Sequence, residues 1–143
     1  VRALVLVDAD PARAAEAAER LNAIYPGRRA SHAASAAAAL DAHGDAGRAP
    51  GLVHATPTGM DKLPGLPLPA ALLLPDLWVS EIVYFPLQTE LLRAARAAGC
   101  AVCDGGTMAV GQAVGAFRLF TRCEPDPARM DAHFLSMVAK RNC

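Results

Sequence analysis

Excess charge of either sign is missing from this chain of 143 residues, where 14 Lys and Arg balance 14 Asp and Glu. Without a basic surplus it lacks the electrostatic footprint of a general nucleic-acid binder. Long apolar runs are missing as well. None reaches the roughly 18 residues of a membrane span, and the greasiest stretch, Leu66 to Pro75, is cut by Pro67, Pro69 and Pro75. A zinc site lacks its second half: Cys100 and Cys103 form a CxxC, but no second CxxC or HxxxH accompanies it. No basic n-region and small-residue cleavage site precede a hydrophobic segment. No repeat with a period of about 20–50 residues is present, and no serine sits in a nucleophile-elbow context.

What is there is a substantial apolar fraction, 53%, against 20% charged residues, which is enough to build a core and argues against wholesale disorder. Two kinds of segment alternate. Residues 3–7 form a continuous apolar run ending in Asp8, and read as a buried strand. Pro11 to Ile24 reads as a helix, with Asp10 as N-cap and Pro11 at its first position. A short strand precedes Ser31 or His32, and a helix over Ala33 to Ala42 stops at His43-Gly44-Asp45. Gly51 to Ala55 is a strand, followed by a Pro/Gly-rich loop from Thr56 to about Pro75. Leu77 to Tyr84 reads as a strand and Thr89 to Ala98 as a helix, with Gly99 just past its end. Cys100 to Cys103 is a strand, Thr107 to Phe120 a helix, and a last helix starts at Asp126 or Pro127 and runs to about Lys140. Strands that are apolar throughout, alternating with helices, predict an α/β fold with a doubly wound parallel sheet.

Ligands of such sheets bind at the carboxyl ends of the strands. Asp8 follows the first strand. In a dinucleotide-binding Rossmann fold an acidic residue in this setting bonds the adenosine ribose hydroxyls and repels a 2′-phosphate, by about 4 kcal/mol per charge pair at ~4 Å and an effective dielectric near 20. An ordinary strand-to-helix turn also accommodates such an Asp. The GxGxxG fingerprint that should lie about 20 residues before the acid falls upstream of Val1. Either the sheet is an incomplete Rossmann-like one, with its first strand and Gly-rich loop outside the chain, or the missing fingerprint counts against a dinucleotide site; sequence alone does not separate these.

Thr56-Pro57-Thr58-Gly59-Met60 turns sharply after a strand and offers backbone groups to a flat ligand. Tyr84 closes the next strand, where Pro86 breaks it. Asp104-Gly105-Gly106-Thr107-Met108 ends the last strand and allows close approach of a cofactor, and Gln112 follows one turn into the next helix. His32, His43 and His133 show no partner spacing and read as surface or capping residues. Cys100, Cys103, Cys123 and Cys143 read as buried or half-buried free thiols, consistent with a reducing, cytoplasmic setting. No two carboxylates are placed as an acid–base pair.

Three motifs in order resemble the C-terminal half of the shikimate/quinate dehydrogenases. They are Ala55-Thr56-Pro57-Thr58-Gly59-Met60, the stretch Ile82-Val83-Tyr84-Phe85-Pro86-Leu87-Gln88-Thr89-Glu90-Leu91-Leu92, and Asp104-Gly105-Gly106-Thr107-Met108-Ala109-Val110-Gly111-Gln112-Ala113. The resemblance implies oxidation of a ring hydroxyl of shikimate or quinate to the 3-dehydro ketone, with hydride passing to a nicotinamide cofactor. Asp8 with Arg13 resembles the NAD-using branch, in which the acid takes the ribose diol and the Arg lies by the adenosine. Thr56, Pro57, Met60, Ile82, Gly105 and Met108 match cofactor-side positions, while Tyr84 and Gln112 match positions at the substrate. Two positions depart from the pattern. His54 stands where the family usually has Asn, and Thr107 where many shikimate enzymes have Gly.

Residues 1–143 would then be a partial NAD(P)-binding Rossmann domain with C-terminal helices. The family's catalytic Lys and Asp lie in an N-terminal substrate domain that this chain does not contain, so no catalytic residue maps here and the fragment alone is expected to be inactive. The implied cofactor is NAD, with NADP less favoured. The implied partner is a small molecule, with no nucleic acid and no membrane, and a homodimer is compatible with the family. Two other readings stay open: an NADP-dependent shikimate dehydrogenase of aromatic amino acid biosynthesis, and a non-catalytic module derived from the dehydrogenase domain.

Overall fold

The computed structural model describes residues 3–25, 27, 29–41 and 50–141. The chain divides into two compact units, Val1–Pro50 and Gly51–Cys143.

The first unit is a β-α-β-α run: β1 (Leu4–Leu6), α1 (Pro11–Ile24), β2 (Ala30–His32) and α2 (Ala36–Asp41). β1 and β2 are parallel, with Leu4 opposite Ala30 and Leu6 opposite His32, as a helical crossover requires. α1 starts where the sequence places it. The Asp10 carboxylate accepts from the Ala12 N–H at 3.0 Å, and Pro11 needs no hydrogen-bond partner at its first position. Ala14 and Ala18, four residues apart, are its buried residues, so the helix packs through methyl groups. Asn22 ties α1 to β2 by donating to the Ala30 carbonyl at 2.8 Å and accepting from the Ala30 N–H at 3.0 Å.

The second unit holds β3 (Gly51–His54), β4 (Trp78–Glu81), α3 (Glu90–Ala97), β5 (Ala101–Cys103), α4 (Gly105–Thr121) and α5 (Pro127–Arg141). Its three strands form a parallel sheet in the order β3-β4-β5. Val79 on β4 is fully buried, as are Leu91, Leu92 and Ala95 on α3; each of these leucines contributes roughly 2 kcal/mol of apolar transfer. Thr89 caps α3 by accepting from the Leu92 N–H at 3.2 Å, and Gly99, at φ +84°, lets the chain leave it. Gly51 pairs with Trp78 across β3 and β4. A Cβ at position 51 would lie inside the indole ring, so the absence of a side chain there seats the tryptophan over the neighbouring strand. Among the described residues, no helix is long and apolar enough to cross a membrane.

Several boundaries move from their predicted places, each for a local reason. β1 is Leu4–Leu6 and not 3–7. α2 starts at Ala36 and not Ala33, because the Ala33 N–H donates to the Leu6 carbonyl and Ser35 accepts from the Ala38 N–H; Ala42 and the predicted stop at His43-Gly44-Asp45 lie outside the described residues. β3 ends at His54. β4 covers Trp78–Glu81 where a strand from Leu77 to Tyr84 is predicted, because the Glu81 carboxylate takes the Val83 N–H at 3.0 Å and turns the chain out of the ladder. α4 begins two residues earlier than predicted. Asp104 caps it, accepting from the Thr107 N–H at 2.8 Å, so Gly105 and Gly106 are helical and not loop glycines. Gln112 consequently lies about two turns into α4.

The expectation of buried or half-buried thiols holds for Cys100 and fails for Cys103 and Cys123, which are exposed; Cys143 lies outside the described residues. The strand is Ala101–Cys103 and not Cys100–Cys103, so Cys100 precedes it, buried, while Cys103 ends it, exposed. The Cys100 thiol donates to the Leu74 carbonyl at 3.2 Å. Burial pushes this thiol up from its ordinary value, and the Asp76 carboxylate adds to the shift. Because the thiolate is the nucleophile, iodoacetamide at about pH 8 is expected to label Cys103 and Cys123 roughly tenfold faster than Cys100. Peptide mass spectrometry over a time course checks this; equal rates would contradict it.

Candidate functional site

The carboxyl ends of β3, β4 and β5 share one edge of the second unit, and the predicted residues from Thr56 to Gln112 lie on the segments that follow these strands. After β3 the chain makes a tight turn. The Met60 N–H donates to the Pro57 carbonyl at 3.2 Å and the Gly59 N–H to the Leu63 carbonyl at 2.7 Å. Gly59 sits at φ +93°, a conformation that favours glycine. Thr56, Pro57 and Met60 are exposed on this turn. A shallow cleft of about 180 Å³ borders it, lined by Gly59, Met60, Asp61, Pro86, Glu90 and Arg93 among others. That is below the roughly 300–1,000 Å³ of a pocket that encloses a drug-sized ligand, so it would hold at most an end of a larger molecule.

Ile82 follows β4 directly and its N–H donates to the His54 carbonyl at 3.1 Å. Tyr84, three residues past the strand, exposes about half of its side chain and tilts against Phe85 with ring centroids 5.0 Å apart. The Phe85-Pro86 peptide is cis. Gly105, first residue of α4, is buried against this segment. A Cβ there would collide with the backbone carbonyl oxygens of Ile82 and Val83, so its glycine identity lets the start of α4 close onto the end of β4. Met108 and Gln112 follow on α4 and are exposed; among the described residues no hydrogen bond engages the Gln112 side chain. The structure thus brings Thr56, Pro57, Met60, Ile82, Tyr84, Gly105, Met108 and Gln112 onto neighbouring elements of one unit.

Asp8 and Arg13 belong to the first unit. Asp8 Oδ1 accepts from the Asp10 N–H at 2.9 Å and faces Arg13 Nη1 at 3.8 Å. Both contacts use Oδ1; among the described residues Oδ2 takes no protein partner and can accept from a ligand hydroxyl. The Arg13 guanidinium is well exposed and offers donors to an anion beside the same carboxylate.

Sequence reasoning passed over a buried, hydrogen-bonded polar cluster of the second unit. Glu81 is 0% and His54 4% exposed. His54 Nδ1 lies 2.8 Å from Glu81 Oε1, Oε1 accepts from the Val83 N–H, and Oε2 accepts from the Thr89 hydroxyl at 3.0 Å. His54 Nε2 meets the Thr56 hydroxyl at 2.6 Å. The Val83 N–H, the Thr89 hydroxyl and the His54 ring converge on the carboxylate, so both of its buried oxygens are engaged. One chain of hydrogen bonds therefore runs from the exposed Thr56 through the buried pair to the N-cap of α3. A usable signal was present: with period-two alternation Glu81 shares a face with the apolar Val79 and Val83, and a carboxylate on a buried face requires partners. Among the described residues, no group of three or more His, Cys, Asp or Glu side chains could hold a metal ion.

No protein-family model matches the chain. Curated relatives do. A shikimate dehydrogenase (NADP(+)) of Streptomyces avermitilis is 58% identical over 136 residues, covering 94% of this chain and 45% of that protein. A quinate/shikimate dehydrogenase (NAD(+)) of Corynebacterium efficiens is 46% identical, covering 96% of this chain and 47% of that protein. The solved quinate dehydrogenase of Corynebacterium glutamicum in complex with NAD superposes with a TM-score of 0.82 at 43% identity, over 95% of this chain and 47% of that one. The chain is homologous to the C-terminal half of the shikimate/quinate dehydrogenases. It spans about half the length of the curated relatives it matches. The parallel sheets are those of the Rossmann-like part of this family, and relatives named for NAD and for NADP both occur at high similarity.

Proposed function

We propose that this chain supplies the cofactor-binding part of an NAD-dependent quinate/shikimate dehydrogenase, which oxidises a ring hydroxyl of shikimate or quinate to the 3-dehydro ketone while hydride passes to the nicotinamide. The observation that carries the reading is the assembly of the three motifs on the carboxyl edge of β3, β4 and β5. There the Thr56–Met60 turn, the Ile82–Tyr84 segment and the glycine start of α4 would face the nicotinamide end of a dinucleotide. Residues 1–143 form, in this reading, a partial Rossmann domain with C-terminal helices. Thr56, Pro57, Met60, Ile82, Gly105 and Met108 lie on the cofactor side, and Tyr84 and Gln112 border the substrate. Alcohol oxidation also needs a base for the hydroxyl proton, which in this reading comes from a Lys and Asp pair of an N-terminal substrate domain. The partner is a small molecule met in the cytoplasm, without nucleic acid or membrane, and a homodimer is compatible with the reading.

Initial-rate assays of the full natural polypeptide with quinate and with shikimate test the proposal; a folded protein that reduces neither NAD nor NADP would overturn it. Cofactor choice rests on Asp8, whose Oδ2 would accept from a ribose hydroxyl and repel a 2′-phosphate. Asp8→Asn is expected to weaken NAD binding about tenfold, through loss of a charge-assisted hydrogen bond of roughly 1.5 kcal/mol, and to narrow the preference over NADP. An unchanged NAD-to-NADP ratio of kcat/KM would refute that role. One observation favours NADP as a second reading: the exposed Arg13 guanidinium beside Asp8 is the group that would hold a 2′-phosphate, and the Streptomyces relative carries the NADP(+) name. The same rate ratio separates the two.

A further inference from the structure

We propose that Glu81 is a positioning residue for the nicotinamide end of the cofactor: by drawing the Val83 N–H into the interior it turns the Ile82 carbonyl the other way, as an acceptor for the carboxamide. The proposal rests on the dinucleotide reading above and deepens it. It starts from one peptide unit. The Ile82 carbonyl and the Val83 N–H belong to the same planar trans amide, so they point in opposite directions. The Val83 N–H donates to Glu81 Oε1 at 3.0 Å, and Glu81 is 0% exposed. One end of the amide is therefore fastened inside the protein and the other faces away from that fastening. The Ile82 oxygen does so on the side of α4, where a Cβ on Gly105 would stand 2.6 Å from it. Among the described residues no backbone N–H outside the strand ladders donates to this oxygen.

The bond to Glu81 is what sets the tilt of this amide. The Ile82 N–H, which donates to the His54 carbonyl at 3.1 Å, belongs to the preceding peptide. The Val83 side chain is buried, but apolar packing fixes its position and not the direction of its N–H. Glu81 is itself braced from the far side. Its Oε2 accepts from the Thr89 hydroxyl at 3.0 Å, and Thr89 is the N-cap of α3, so the helix start serves as the reference against which the strand end is held. A backbone carbonyl with a free lone pair takes a donor. The nicotinamide end of a dinucleotide carries one N–H donor, the amino group of its carboxamide, while the ring itself presents C–H edges. The chemistry left open at Ile82 is the chemistry that this group supplies.

Calorimetric titration of the full natural polypeptide with NAD and with its 3-acetylpyridine analogue tests this (or with the 2′-phosphorylated pair, whichever binds more tightly). The analogue carries a methyl ketone in place of the carboxamide and has no N–H to donate at that end. The wild type is expected to bind the carboxamide dinucleotide about fivefold more tightly than the analogue, the effect of one hydrogen bond. Glu81→Met fills the buried space but offers Val83 no oxygen, and should bring the ratio close to one. Glu81→Gln, whose amide oxygen can still take the Val83 N–H, should keep it. A merely structural role would weaken both dinucleotides alike and leave the ratio unmoved. A Glu81→Met protein with the wild-type ratio would therefore overturn the proposal and leave the cofactor reading standing. Where Glu81→Met does not fold, the other two proteins still decide: a wild-type ratio near one, or loss of the ratio in a folded Glu81→Gln, would overturn it. A folded wild-type protein that binds neither NAD nor NADP would overturn both readings together.

Discussion

Replacing Glu81 with alanine is expected to cost about 3–5 kcal/mol of folding stability, because it leaves three buried groups without their hydrogen-bond partner. The side chain is fully buried and hydrogen-bonds with His54, Val83 and Thr89. Without it, an imidazole, a backbone N–H and a hydroxyl are left inside the protein, and each such orphan carries a desolvation penalty of about 1–3 kcal/mol. The Val83 N–H matters most for the site, since its bond to Glu81 ends β4 and directs Ile82 and Tyr84. Urea unfolding followed by circular dichroism measures the effect. Glu81→Gln keeps the shape and two acceptor sites and is expected to lose about half as much. A loss under about 1 kcal/mol for Glu81→Ala would mean that the network does not hold this strand end.

Gly105→Ala is the second change with a large expected effect. The added methyl would meet the carbonyl oxygens of Ile82 and Val83, which are backbone atoms and cannot rotate away. Overpacking of this kind costs about 1–3 kcal/mol, and relief requires α4 to back off from the end of β4. Met108 and Gln112 would move with it. The variant should therefore fall in stability and also lose most of its dinucleotide affinity, whereas Gly111→Ala, on an exposed position of the same helix with open space around it, should retain both. Parallel urea melts and NAD titrations distinguish the two; equal behaviour of the variants would show that the close approach at Gly105 is dispensable.

Helices and their caps were legible from local sequence, because capping is decided within a few residues. Asp10 with Pro11, and Thr89 at the start of α3, stand where side-chain chemistry alone puts them. Asp104 shows how far this goes. Its capping role was available to a reader of Asp104-Gly105-Gly106-Thr107, but two glycines argue locally for a loop, and only the close packing on Ile82 and Val83 makes them helical. The candidate site was legible through its motifs, since each turn residue sits just after an apolar strand. The buried His54–Glu81 pair was not, because its partners lie 27 residues apart and their meeting depends on the parallel register of β3 and β4. The exposure of Cys103 and Cys123 likewise depends on which faces the surrounding elements cover, information that composition does not carry.

Trp78 lies over Gly51 on the adjacent strand, and it is the chain's one tryptophan. Its emission is therefore a built-in optical gauge of the β3–β4 pairing, free of background from other indoles. The same pairing, read three residues further along, aligns His54 with Glu81. A shift of one residue between the strands would move the indole off Gly51 and pull the imidazole from its carboxylate in a single event, so the fluorescence of Trp78 follows the integrity of the buried hydrogen-bond network in a sample that carries no label.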